Sequence, residues 1–512
     1  MRILGLSFQF HDAAATVVED DKILYASHSE RYSKIKNDPF LNHEMIADCL
    51  EFGKPDVIVL HEKSFVKKLR NIYAGNWSAL REHSMKAWLK EFFPELAGIP
   101  IKSYWHHETH AAAGVLTSGF DDAAVMVIDA IGEFDTASIW HWKDGKLKKK
   151  DSVKFPSSLG LFYSAMTAHV GLKPMEDEYV LMGMAAYGQP HFADAMSTEF
   201  FADSKCTEPS NAIVMKKNLQ RGVPKSYLGR DKQSGIDEYG HTKIDYHIAA
   251  SAQAVAEKRI FEYARHALLL TNSSNIVFMG GVALNCVANG NLFKLFKNVH
   301  IMPNPGDAGS SLGAAALHAY NTSGTKVNWE GPFLGNNIEG AYPIKKALAS
   351  LLKGEIFGIA NGKAEFGPRA LGNRTLSADP RGDKIKDKVN KIKLRQEFRP
   401  FAPIILQEHV HEYFDMPGGI SDAPYMQFVA RCKKPKEFPA IVHADGTSRV
   451  QTVNKQQHPE LYELMTQFYN ETGCPMILNT SLNVKGMPIV NDERDAKIFQ
   501  DKYNVPVHTK DD

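Results

Sequence analysis

Across 512 residues the sequence holds no apolar run long enough to cross a bilayer, only five cysteines, and no excess of charge of one sign. Each scarcity removes a class of protein. A membrane-spanning helix needs about 20 consecutive apolar residues, so no membrane partner is expected. Cys49, Cys206, Cys286, Cys432 and Cys474 are odd in number, and no two show metal-ligand spacing. That pattern fits reduced thiols rather than a disulfide framework. The 60 Lys and Arg are balanced by 59 Asp and Glu, a formal net charge of +1. Nothing global therefore demands a polyanionic partner, although a basic patch on one face would vanish in that sum. The opening MRILGLSF lacks the charged region, apolar stretch and cleavage site of a signal peptide, so a cytoplasmic setting is expected. The length exceeds what one hydrophobic core normally serves, and two or more domains are expected.

Strand-like runs at 3–8, 13–17, 23–26 and 123–130 end in Asp or polar turns, and 275–285 reads as a strand running into a double glycine. Helix-like patterns cover 41–52, 78–95, 105–118 and 310–320. Strands alternating with helices, with small or acidic residues at strand ends, indicate an α/β fold whose site lies at those ends. Polar residues and Gly at 320–340 mark a boundary, after which EIFGIANG, FAPIIL, YMQFVA and PMILNTSLN begin a second α/β pattern. The division read is 1–335 and 336–512.

Four constellations carry chemistry. His106 and His110 stand at i and i+4, one face of a helix, and can reach a common ion. Taken alone, such a pair is more often incidental in a chain with 21 histidines. Asp129 closes VMVID and Asp307 lies in NPGDAGSSLGAA before a helix. Two imidazoles and two carboxylates suit iron, zinc or manganese better than calcium. Glycines after strands, in DAIGEFDTAS, GLSFQFHDAAA and MGGVALN, let backbone N–H groups approach phosphate. His11, after the first strand, has the reference pKa of a general base at neutral pH. In the C-terminal half EFGPRALGNR, KIKLRQEFRPFAP, GTSRVQTV and LNTSLNVKGMPIV set arginines and lysines beside Gly, Pro and Ser, the make-up of an anion pocket.

Together HDAAA, HHxxHA, VIDxxGE, EYxxMG, GGVALN, NPGDAGSSLGAA, FGPRALGNR, FRPFAP, SRVQT and NTSLNVKG resemble the NodU/CmcH O-carbamoyltransferases over nearly the whole chain. The resemblance implies an N-terminal actin/hexokinase/Hsp70-like (TsaD-like) domain that holds metal and nucleotide. It implies a C-terminal YrdC-like domain that makes carbamoyl-adenylate from carbamoyl phosphate and ATP with Mg. By matched position, His106, His110, Asp129 and Asp307 are the implied ligands of iron, with zinc or manganese as alternatives. His11 is the implied base and Lys36 a neighbour of the transferred group. Gly132, Glu133, Gly280, Gly281 and Asn285 are the implied nucleotide contacts. Arg369, Lys393, Arg399, Arg449 and Ser481 form the implied carbamoyl-phosphate pocket. Val180 stands where the family motif carries lysine, and the chain is somewhat short for the family.

Two rival enzymes share these loops: a TsaD-like tRNA threonylcarbamoyladenosine transferase and a sugar-kinase-like ATPase. The first lacks the arginine-rich appendage, and the second gives the histidine pair no task. The acceptor hydroxyl is left open among metabolites, sugars and nucleosides, including the hydroxymethyl group of 5-hydroxymethylcytosine in DNA. Stretches 67–90 and 216–232 interleave Lys and Arg with Trp and Tyr, a composition that can track phosphates and stack on bases, though it more often marks solvated helices. A homodimer is also left open.

Overall fold

The computed structural model describes residues 1–201, 223, 226–232, 236–382, 384–395 and 401–511. The chain forms two compact units, one from Met1–Lys22 and Ala47–Asn328, the other from Ile23–Ile46 and Trp329–Asp512. This differs from a single cut at 335/336, because residues 23–46 join the C-terminal half. The reason is local and polar. Arg31 is buried and donates through Nη2 to the Gly367 carbonyl at 3.0 Å, while the Tyr32 hydroxyl donates to Asn336 Oδ1 at 2.6 Å. A guanidinium withdrawn from water must find acceptors, and the second unit supplies them.

In the first unit, β1 (Arg2–Ser7) pairs antiparallel with β2 (Ala14–Glu19), Leu4 opposite Val17. Strand β3 (Lys22–His28) carries the chain into the second unit. On the other side of β1 lie β4 (Val57–Leu60) and β5 (Ile101–Ser103), both parallel. The second sheet repeats the scheme. Its β6 (Asp122–Ile128) is followed by antiparallel β7 (Asp135–Lys143) and β8 (Lys146–Lys154). Strands β9 (Asn275–Met279) and β10 (Asn298–His300) run parallel on its other side, giving the order β10-β9-β6-β7-β8. VIVL of β4 and AAVMVI of β6 are buried throughout, as strands covered on both faces require.

Small residues bring the helices that cover these sheets into contact. At Gly313, in helix Gly309–Ser323, a Cβ would lie 1.9 Å from the Thr109 carbonyl oxygen of helix His106–Thr117. Only glycine permits that approach, and it sets Asp307, just before one helix, beside the histidines of the other. The run expected as one helix at 78–95 is instead a 3-10 turn, Trp77–Leu80, and a helix, Met85–Phe92. Ser84 breaks it by accepting the Ala87 N–H at 3.2 Å as an N-cap, and Pro94 lies just beyond its end.

The second unit is built on a six-stranded sheet in the order Gln451–Val453, Ala402–Leu406, Met476–Ser481, Arg374–Ala378, Phe357–Ala360, Val507–His508. Its four inner strands are antiparallel and its two edge strands join in parallel. Glu365 fixes the FGPRALGNR loop by accepting the backbone N–H groups of Leu371, Asn373 and Arg374 at 2.7, 2.9 and 3.2 Å. The fold is mixed α/β. No helix among the described residues is long and apolar enough to cross a membrane. Cys49, Cys286, Cys432 and Cys474 are free and buried.

Candidate metal and transfer site

Helix His106–Thr117 starts at the end of β5, and a carboxylate holds its first turn. Glu133 Oε1 accepts the Lys63 N–H at 2.8 Å, and both Glu133 oxygens lie 3.2 Å from the His106 N–H. An anion against the orphan N–H groups of a helix N-terminus is favourable. Burial pushes the Glu133 carboxyl upward in pKa. Glu133, implied as a nucleotide contact, accepts these two backbone N–H groups. The i, i+4 geometry then places His110 Nε2 at 3.1 Å from His106 Nε2.

Asp129 and Asp307 complete the cluster. His106 Nε2 lies 3.0 Å from Asp129 Oδ2 and 3.5 Å from Asp307 Oδ1; His110 Nε2 lies 3.3 Å from each. Asp129 is oriented from behind, where Oδ1 accepts the N–H groups of Ala130 at 2.8 Å and Gly281 at 3.3 Å, so Oδ2 faces the imidazoles. Ligand atoms about 2.1 Å from one centre lie about 3.0 Å apart at a right angle and about 3.4 Å apart at the tetrahedral angle. The observed separations fall across that range. All four side chains are buried. Burial opposes charge on His106, yet Asp307 and Asp129 hold its pKa well above the ordinary value, and His110 is raised in the same way. Asp129 is held well below the usual carboxylate range by His106 and His110, against the burial penalty. Asp307 is lowered as well, against both burial and the Asp129 charge. The two carboxylates thus favour protons on the facing imidazoles, and a divalent cation can take the place of those protons. The donor set, its spacing and its charge fit a first-row transition metal.

His107 turns away. Its Nδ1 meets Ser138 Oγ at 2.8 Å, and burial, then the neighbouring His106, lower its pKa to about 3. The sequence reading missed His61 and Glu62, which close β4 and form a second buried grouping with His106. The signal was present, since VIVL-HE ends a buried strand in polar residues as VMVI-D does. Lys67 already neutralises Glu62 at 2.5 Å.

The glycine loops gather at the same place. Strands β6 and β9 are parallel neighbours, Val127 opposite Met279, so the turns that follow them lie side by side. Gly280 has φ +90°, and a Cβ there would lie 2.2 Å from the Ile128 carbonyl oxygen. Gly132 lies against the imidazoles, where an added Cβ would be 3.2 Å from His106 Cδ2. Asn285 exchanges amide hydrogen bonds of 3.0 Å with Gln253 and caps Ala288 N at 3.1 Å. Val180 is buried in helix Glu178–Met184.

His11 departs from its expected state. Its Nε2 donates to the Met175 carbonyl at 2.6 Å and its Nδ1 lies 3.1 Å from Asp12 Oδ2. Burial opposes protonation, but the Asp12 carboxylate, with the Met175 carbonyl, raises the pKa to about 10. Both ring nitrogens are engaged in a cation, and neither is offered as a neutral base.

The remaining implied residues lie in the second unit. Lys36 is half-buried in the turn after helix Glu30–Ser33. Lys393 and Ser481 are brought together: the Lys393 ammonium donates to Ser481 O, to Ser481 Oγ at 3.2 Å and to Asn483 Oδ1 at 2.6 Å. Arg449 carries a buried Nε with no hydrogen-bond partner among the described residues. Arg369 is half-buried in the loop that Glu365 fixes. Arg399 lies outside the described residues, as does most of the 216–232 stretch.

Residues 56–316 match a family model described as carbamoyltransferase N-terminus, and residues 348–507 match one described as carbamoyltransferase C-terminus. The chain is 34% identical to nodulation protein U of Sinorhizobium fredii, over 95% of this chain and 94% of that protein. It is 28% identical to the 3'-hydroxymethylcephem-O-carbamoyltransferase of Amycolatopsis lactamdurans, over 96% of this chain and 94% of that one. Among solved structures, HypF of T. kodakarensis aligns with 64% of this chain and 48% of its own at a TM-score of 0.34 and 14% identity.

Proposed function

The chain belongs to the carbamoyltransferase family of enzymes, and from that premise we propose that it is an ATP-dependent O-carbamoyltransferase acting through carbamoyl-adenylate. In this reading the first unit is the actin/hexokinase/Hsp70-like half, a reading supported by its repeated sheet order, and the second is the YrdC-like half. The observation that carries the proposal is the buried quartet His106, His110, Asp129 and Asp307, converging at 3.0–3.5 Å beside the glycine turns of β6 and β9.

The reaction divides into two halves. In the second unit carbamoyl phosphate loses phosphate to water. The resulting carbamate oxygen attacks the α-phosphorus of ATP, and Mg-pyrophosphate leaves. Arg449, Arg369 and Arg399 would take up the anions, and Lys393 and Ser481 would border them. In the first unit an acceptor hydroxyl oxygen bonds to the carbamoyl carbon as that carbon's bond to the AMP oxygen breaks. AMP departs with the electron pair, and the hydroxyl proton passes to water. The quartet would hold iron, or zinc or manganese, which supplies Lewis-acid polarisation of a bound oxygen. Gly281 and Ala130 keep Asp129 turned toward that centre. The His11 cation, its two N–H groups held by Met175 and Asp12, would act on the negative charge building on the leaving group through its field rather than through a hydrogen bond.

The test is a paired assay on the purified full chain. Pyrophosphate release from carbamoyl phosphate and Mg-ATP reports the first half, and a carbamate ester on a hydroxylated acceptor, seen by mass spectrometry, reports the second. Elemental analysis of the same preparation should find one transition-metal ion per chain. Carbamoyl phosphate consumed without pyrophosphate release would remove the adenylate from the mechanism.

A further inference from the structure

Beside the quartet runs a surface that the reaction leaves unused. Helix Ser64–Tyr73 presents Phe65, Leu69 and Tyr73 at four-residue spacing, one face of the helix. Phe65 is 72%, Tyr73 69% and Trp77, in the following 3-10 turn, 67% exposed. Such large side chains are normally withdrawn from water, and a contiguous exposed set marks a site of interaction. The same stretch, residues 67–90, carries six cations and one acid, Glu82. Two of the six face inward: Lys67 pairs with Glu62, and Arg70 donates to the Gly132 carbonyl at 2.8 Å. Arg81, Lys86 and Lys90 are exposed, and the Lys68 ammonium reaches the Glu82 carbonyl, tying the basic loop to the aromatic helix.

This surface is joined to the transfer centre. The residue just before the helix, Lys63, donates its N–H to Glu133. Arg70 holds Gly132, and the Tyr73 ring packs 6.3 Å from that of Phe134. The three partners are consecutive residues of the turn between β6 and β7, which starts at Asp129.

We propose that the aromatic face Phe65–Tyr73–Trp77, with Arg81, Lys86 and Lys90, binds a nucleic-acid strand and presents one of its hydroxyl-bearing nucleotides to the transfer centre. The inference rests on the O-carbamoyltransferase reading and names the acceptor class for the same site. Aromatic faces accept any base by stacking, and the cations neutralise successive phosphates. An apolar partner surface would leave three exposed cations unused, whereas a polyanion with stackable bases uses both features. The covalent step is the one already given, with the nucleotide hydroxyl as the attacking oxygen and AMP as the leaving group.

The probe is a fluorescent single-stranded oligodeoxynucleotide, with or without a hydroxymethyl group on one pyrimidine. Anisotropy is read on the full chain from about 50 to 200 mM salt. Wild type should bind with a steep salt dependence. Trp77→Ala should weaken binding by about 5- to 150-fold, the worth of one stacked base. The triple variant Arg81→Gln, Lys86→Gln, Lys90→Gln should flatten the log–log salt slope by about 2, at about 0.7 per phosphate lost. The hydroxymethylated strand should gain a carbamoyl group, and Trp77→Ala should raise KM for the strand more than for the free nucleoside. Absence of binding at low salt, or binding indifferent to both variants, overturns the proposal. So does sedimentation showing a dimer that Phe65→Ala and Trp77→Ala dissociate without any oligonucleotide binding, because the face then pairs two copies of this chain. Pyrophosphate release from the same preparation separates the two readings. Its absence sinks the carbamoyl chemistry, while the binding data judge the surface alone.

Discussion

Glu133 holds His106 by its backbone, with both carboxylate oxygens 3.2 Å from the His106 N–H and one of them 2.8 Å from the Lys63 N–H. A residue matched by motif to nucleotide binding therefore fixes the start of the helix that carries both imidazoles. Glu133→Ala should leave the buried His106 N–H unsatisfied, at about 1–3 kcal/mol, together with the half-buried Lys63 N–H, and lower the stability of the first unit accordingly. Urea unfolding of the metal-free protein measures this. A midpoint equal to wild type would show that the carboxylate does not serve the helix.

Metal retention should depend on pH in a definite direction. In the metal-free site His106 and His110 have raised pKa values because Asp129 and Asp307 favour their protonated forms. Protons and metal compete for the same nitrogens, so apparent affinity should fall as pH falls, by up to two protons per ion. His110→Ala removes one ligand and one competing proton. Occupancy should drop, the pH dependence should become shallower, and transfer should be lost with the metal. Metal titrations at several pH values check both features, and full transfer by metal-free His110→Ala protein would refute the quartet.

In the second unit the structure separates two residues that the sequence grouped. The Lys393 ammonium is already spent on Ser481 and Asn483, whereas Arg449 keeps a buried Nε with no partner among the described residues. Lys393→Ala should act mainly on stability, since it leaves half-buried oxygens of Ser481 and Asn483 without their donor. Arg449→Ala should instead raise KM for carbamoyl phosphate by roughly 10- to 150-fold, the worth of a charge-assisted hydrogen bond of about 1.5–3 kcal/mol, with little change in melting. Pyrophosphate-release kinetics and thermal unfolding of the two variants should show opposite patterns.

The legible part of the site was the part written in strand ends. Strand ends and helical spacing made Asp129, Asp307, His106 and His110 candidates, but it was the family motifs that implied them as one set, and the structure brings the four together. The tasks of Glu133 and His11 were not legible, because each depends on a partner remote in sequence: the His106 backbone 27 residues away, the Met175 carbonyl 164 residues away. The placement of 23–46 was hidden for the same reason, since Arg31 and Tyr32 find their acceptors at Gly367 and Asn336, more than 300 residues on. The helix break at Ser84 was readable in principle, because a serine ahead of an amphipathic run is an N-cap signal.

His11 gives the sharpest test of how the transfer step is run. A histidine with a folded pKa of about 10, above an unfolded value near 6.5, stabilises the fold through its charged form. That contribution is complete below about pH 6.5 and is lost as pH rises toward 10. The difference in urea midpoint between wild type and His11→Gln should therefore be largest near pH 6 and shrink toward pH 10. Catalysis should follow the same group. A neutral-base mechanism predicts a rise in transfer rate through pH 6.5 that disappears in His11→Asn. A fixed cation predicts no step there, and a decline as pH approaches 10. Replacing it with Asn removes that charge from the site and should slow transfer by roughly tenfold or more. Metal content and pyrophosphate release should stay near wild type in that variant. A wild-type step near 6.5 that His11→Asn abolishes would return the residue to the role of base, with Asp12 then orienting a neutral ring.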